Sequence, residues 1–145
     1  GYCLPKDTEQ LKSSFLDIPN SNLIHAIVES NQTRKQFIAE RVIEEALKIS
    51  QKKIEEITIG IYRLIMKTGS DNYRSSAVID VINNLKLKKI KVLVYEINNP
   101  KIDCEVTQSL EFFKKKCDLI ISNRYNKSLD DVKNKVYSRD LFTRD

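Results

Sequence analysis

Glycine is scarce in this chain, with three in 145 residues, at Gly1, Gly60 and Gly69. The G-x-G-x-x-G turn that holds a dinucleotide pyrophosphate needs three glycines within six residues. These three are too dispersed, which excludes a standard NAD-binding half. Histidine is scarcer still. The single one, His25, lies among apolar residues with no second histidine or carboxylate at ligand spacing. It reads as a packed or interfacial residue; a Ser-His-Asp triad would need this sole histidine, and nothing positions it beside a nucleophile. Three cysteines, Cys3, Cys104 and Cys117, are an odd number with no C-x-x-C or C-x-x-H spacing. That disfavours both a disulfide framework and a zinc site. No apolar run approaches the roughly 20 residues that cross a bilayer, and no charged segment precedes an apolar leader core. The expected setting is cytoplasmic, with no membrane partner and no metal. The chain does not begin with methionine and is expected to be part of something longer.

Hydrophobic residues make up 41% of the chain and charged residues 31%, an ordinary globular balance. The net charge of +5 permits an anionic partner. The basic runs KISQKK, KLKKIK and FFKKK are candidate phosphate contacts, which makes a nucleic-acid-binding domain one reading. Against it, aromatic residues are not interleaved with those runs and no helix-turn-helix, RRM or KH signature occurs. Solvated helix faces explain the lysines better, and no nucleic-acid partner is expected.

Pro5 suits the first turn of a helix, and good helix formers follow it, predicting a short helix from about Pro5 to Phe15. LDIPN breaks it, and Asn20 or Ser21 is placed to cap a second helix that runs to about Ile49. Its apolar residues cluster at Leu23, Ile24, Ile27 and Val28 and again at Ile38, Val42, Ile43, Ala46 and Leu47. The polar stretch ESNQTRKQ separates the clusters. Such an interrupted stripe points to a helix that packs on another chain or bridges two domains. Beyond Lys53 the period changes. EITIGIYRL, KVLVYEI and DLIISNR are short, β-branched and separated by helical text, and LDDVKNK with VYSRD adds a further helix and strand. The fold class expected is α/β: a long N-terminal helix followed by a Rossmann-like three-layer domain with a mainly parallel sheet.

Open parallel sheets bind ligands at the carboxyl ends of their strands. After the first strand, Lys67 and Arg74 flank a loop that holds Gly69, with Asn72, Ser75 and Ser76 available to cap the next helix. The third strand ends in Ser122-Asn123-Arg124. Three cations on one sheet edge point to a nucleotide pyrophosphate, because helix N–H groups and side-chain charge converge on one anion; solvated loop charges are the alternative. Glu96, closing the second strand, stands where a dinucleotide half often carries an acid for ribose hydroxyls. Cys3 lies just before a helix N-terminus and near Lys6, and both favour the thiolate. Asp7, one turn on, is placed to orient or deprotonate a water. A merely packed Cys3 is equally compatible with this spacing. Cys104 and Cys117 read as structural.

Four texts, GYCLPKDT, AIVESNQTRKQFIAE, GIYRLIMKTGSDNYRSSA and VYSRDLFTRD, resemble in this order the C-terminal part of the UDP-glucose 6-dehydrogenase family. The resemblance spans the chain from end to end. It implies a two-step, four-electron oxidation of UDP-glucose to UDP-glucuronate that consumes two NAD molecules. Cys3 matches the nucleophile that forms the thiohemiacetal and then the thioester, and Asp7 the carboxylate that helps water release the product. Lys6 and Arg74 match cofactor contacts, and Lys67 and Arg124 match residues that bind the UDP-sugar. Residues 1–50 correspond to the catalytic-cysteine loop and a central helix that forms a homodimer. Residues 51–145 correspond to a UDP-sugar-binding domain, and the family's NAD-binding half is absent, so the fragment is expected to be inactive alone. Relatives acting on UDP-N-acetylmannosamine or GDP-mannose share this architecture, but RLIMKTGSDNYRSS and SNRY are most similar to the UDP-glucose enzymes. A non-catalytic nucleotide-binding module remains the alternative from another class, although it has no use for Cys3, Lys6 and Asp7 on one helical turn.

Overall fold

Side-chain alternation along three apolar strands sorts the core into two sets. In β1 (Thr58–Tyr62), β2 (Lys91–Tyr95) and β4 (Leu119–Ser122), the residues Ile59, Ile61, Val92, Val94, Leu119 and Ile121 point to one face. Tyr62, Leu93, Tyr95 and Ile120 point to the other. Strands apolar on both faces must be covered on both, and they are. The computed structural model describes residues 3–19, 21–64, 77–98, 100–124 and 126–140. Its five strands are all parallel and run in the order β3-β2-β1-β4-β5, with β3 at Glu105–Thr107 and β5 at Val136–Tyr137.

One face is covered by α2 (Asn22–Ser50) and α3 (Ala77–Leu87). Ala39, Val42, Ile43 and Ala46 of α2 and Val81, Ile82 and Leu85 of α3 share one core with the strands. The opposite face is covered by α4 (Leu110–Lys116) and by a kinked 3-10 segment (Lys127–Lys135). Phe113 of α4 and Leu129 of that segment are buried there. Helix α4 comes close because Gly60 faces it. A Cβ at Gly60 would lie 2.6 Å from Cys117 Sγ and 2.7 Å from Phe113 Cζ. Helix α1 (Cys3–Ser14) packs on α2.

The expected layers and parallel sheet are therefore present, as are the last helical segment and strand. Three local details differ. Helix α1 starts at Cys3 rather than Pro5, because proline is tolerated anywhere in a first turn, where N–H groups lack partners. Ser21 is the N-cap of α2 but makes no side-chain capping bond; the far end is closed instead by Gln51, left-handed at φ 53, whose N–H donates to Leu47 O at 3.1 Å. The stretch NNPKIDCEVT, whose composition reads as a loop, contains the edge strand β3, whose pairing with β2 supplies hydrogen bonds that no local pattern announces. None of the described helices is long and apolar enough to cross a membrane.

Candidate functional site

With β1 at the centre and the chain passing outward to β2 and β3 on one side and β4 and β5 on the other, the topological switch lies between β1 and β4. Their carboxyl ends are therefore the place for a ligand. The last rung carries Tyr95, Tyr62 and Ser122 in register across the three central strands. Tyr62 and Tyr95 stack with centroids 5.4 Å apart, and Tyr95 leans on Phe113 at 5.6 Å. Tyr62 is fixed further by a 2.9 Å hydrogen bond between its hydroxyl and Ser128 Oγ.

The exits from these strands are held by hydrogen bonds that reach across the sheet. Arg63 N–H donates to Tyr95 O at 3.0 Å. Glu96, only 4% exposed, accepts from Leu64 N–H at Oε2 and from Ile97 N–H at Oε1, both at 3.0 Å. Two charge-assisted bonds to backbone amides account for the burial of a carboxylate in a sheet edge. Through these bonds Glu96 ties the exits of β1 and β2 together. Arg63 adopts a left-handed conformation, φ 61, with its guanidinium 5.8 Å from the Tyr62 ring centroid. A non-glycine residue there is strained, and such residues gather at ligand sites. Ser122 Oγ donates to Arg124 O at 2.6 Å and bends the chain so that Arg124 is exposed at the β4 exit.

The sequence-predicted residues thus divide into three groups. Arg124 stands at the switch point. Lys67 and Arg74 lie outside the described residues, as do the proposed capping residues Asn72, Ser75 and Ser76. Cys3, Lys6 and Asp7 fall on the first turns of α1, and Lys6 Nζ pairs with Asp7 Oδ1 at 2.8 Å. Both side chains are at least half exposed, so the pair contributes little stability and leaves both groups accessible. Arg63 and the Tyr62–Tyr95 stack were not singled out from the sequence. The available signal was the run IYR at a strand end, where a basic residue follows the last aromatic one.

The other two cysteines are not activated. Burial pushes the Cys117 thiol up to about 12 and also raises that of Cys104, so neither is a nucleophile near neutral pH. His25 Nε2 is shielded from solvent without a partner, and no cluster of three metal-ligating side chains occurs among the described residues.

Comparison with known proteins decides the wider context. The whole chain aligns at 45% identity with UDP-glucose 6-dehydrogenase of Streptococcus pneumoniae and at 44% with that of Campylobacter jejuni. The chain is homologous throughout to a stretch of the UDP-glucose 6-dehydrogenases. It spans about a third of the length of those relatives, 35% and 36% respectively. The fold of this stretch is shared more widely. A GDP-mannose dehydrogenase from Pseudomonas aeruginosa, crystallised as a ternary complex, superimposes on the full chain with a TM-score of 0.67 at 16% identity, over 37% of its own length. No family model matches the chain.

Proposed function

We propose that this chain is the UDP-sugar-binding part of an NAD-dependent UDP-glucose 6-dehydrogenase, which oxidises UDP-glucose to UDP-glucuronate in the cytoplasm. The observation that carries the reading is the end-to-end 45% identity with enzymes of that name, combined with a cation-bearing switch point in an open parallel sheet. Arg124, with Lys67 from the segment after β1, binds the pyrophosphate. Among the described residues Arg63 stands at the adjacent strand exit and adds positive charge to the same edge.

Cys3 is the nucleophile, at the N-terminal end of α1, where the helix dipole favours a thiolate. Its thiolate adds to the aldehyde carbon of the half-oxidised sugar, and Asp7 orients and deprotonates the water that releases the acid. Lys6 Nζ lies 2.8 Å from Asp7 Oδ1 on the same helical turn. NAD, when bound, accepts the hydrides. Lys6 and Arg74 are this chain's contacts to it, and because β1 is not followed by a glycine-rich turn, this sheet is not itself a dinucleotide cradle. Pairing of α2 helices makes a homodimer, to which exposed Leu23, Ile27 and Phe37 contribute apolar surface.

Calorimetric titration with UDP, UDP-glucose and GDP, with sheared DNA alongside, tests the reading. Binding of the uridine ligands alone is expected, and Ala in place of Lys67 or Arg124 should weaken it by about 1.5–3 kcal/mol, the size of a charge-assisted contact. Preference for GDP would reassign the sugar nucleotide. Affinity for DNA alone would overturn the proposal.

A further inference from the structure

The polar interruption of α2 is not a gap in its buried face. Val28, Ala39, Val42 and Ala46 are buried along one side, and Lys35 lies on that same side, only 8% exposed. One turn earlier, Asn31 Nδ2 is shut off from solvent with no partner. Lys35 Nζ reaches Asp80 Oδ2 at 2.5 Å, and Asp80 belongs to the first turn of α3.

Topology places this pair. Helix α2 ends at the amino edge of the sheet, where the chain enters β1, and Lys35 lies fifteen residues before Ser50, about 22 Å back along the axis. Strand β1, with five residues, spans about 17 Å. The pair therefore stands level with the carboxyl edge, where α3 starts. Helices α2 and α3 both descend from that edge. A further ion pair, between Glu40 of α2 and Lys88 just past the end of α3 at 3.9 Å, lies further down, with both side chains about half exposed.

A buried lysine is a poor way to stabilise a helix pair, because desolvation cancels much of the attraction and an apolar pair does as well. What it supplies is geometry. A short ion pair fixes one helix against the other at a single register, which interchangeable apolar contacts do not. Asp80, 46% exposed in its side chain, has water available without Lys35; Lys35, at 10%, depends on Asp80.

We infer that Lys35 is a positioning residue: through Asp80 it fixes the first turn of α3 against α2, and with it the helix N-terminus at the ligand edge of the sheet. This rests on the reading of that edge as the UDP-sugar site.

The test uses Lys35→Met, Lys35→Arg and Asp80→Asn, with Lys114→Met as control, since Lys114 makes a comparable 2.6 Å pair with Asp131 on the opposite face of the sheet. Amide hydrogen exchange in the ligand-free chain should be about tenfold faster in the first turn of α3 in Lys35→Met and Asp80→Asn. UDP affinity should fall about tenfold in the same two variants, equivalent to 1.4 kcal/mol, and remain within about threefold of wild type in Lys35→Arg. The control should change neither readout. Wild-type exchange in both charge-removing variants overturns the inference. Faster exchange with unchanged UDP affinity overturns it too, since the pair would then hold α3 and nothing more. If Lys35→Met does not fold, Asp80→Asn decides, because its side chain is half exposed. A wild-type chain that binds no UDP overturns the functional proposal instead, and the exchange readout alone then decides whether the pair fixes α3.

Discussion

At each edge of the sheet a buried or half-buried carboxylate ties elements together, Asp118 at one and Glu96 at the other, and the two are used differently. At the amino edge Asp118 accepts from Thr58 N–H at 2.9 Å and from Lys52 Nζ at 2.7 Å, joining the end of α2, the start of β1 and the start of β4. The charge is met by a lysine and the edge is closed. At the carboxyl edge Glu96 accepts from two backbone amides, those of Leu64 and Ile97. It sets the path of the strand exits, and the side chains that leave them are Arg63 and Arg124. One carboxylate serves the fold alone, while the other also shapes the edge proposed to receive a ligand.

That contrast is open to direct attack. The largest expected effect is Glu96→Ala, which orphans the buried Leu64 amide and the partly buried Ile97 amide and should cost about 3 kcal/mol, with UDP affinity lost in parallel. Denaturant melts and calorimetry on one sample would show it. Gly60→Ala comes next: the added methyl has no room beside Phe113 and Cys117, and overpacking should cost about 2 kcal/mol in the same melts while UDP affinity stays near wild type. Asp118→Asn should cost about 1 kcal/mol, again without changing UDP affinity by more than about twofold. If Asp118→Asn weakened UDP as much as a Glu96 variant does, the division between the edges would fail.

A slope in pH tests the same packing. The thiol of Cys117 ordinarily ionises near 9.0, and burial raises it to about 12 in the folded chain. Above pH 9 the unfolded chain loses this proton first, so the stabilisation present below pH 9 is lost progressively between 9 and 12. Midpoints measured across that range should fall less steeply in Cys117→Ala. An identical slope in both chains would mean that the thiol is not as enclosed as its packing against Gly60 implies.

Much of the architecture was readable along the chain, because local patterns report local physics. Three β-branched runs at even spacing can only be buried strands, and helical text between them requires parallel connections on both faces. The cations after two of those strands could be assigned to one edge from topology alone. Strand β3 could not be read, since its three residues, Glu105–Thr107, carry no apolar pattern and exist as a strand only by pairing with β2. Nor could Arg63, whose left-handed backbone follows from the bond to Tyr95 O on the neighbouring strand.

The stretch ESNQTRKQ shows where the boundary falls. Its polarity pointed to an interruption of the helical stripe. The fold turns one of its residues, Lys35, inward to a carboxylate 45 positions away. By itself the sequence determined the elements, the parallel order of the layers and the residue types at the strand ends, because these depend on periodicity and on neighbours a few residues apart. Which carboxylate meets which amide, which lysine is buried and which arginine is strained were decided only by the tertiary structure, because those partners become neighbours only once the sheet has closed.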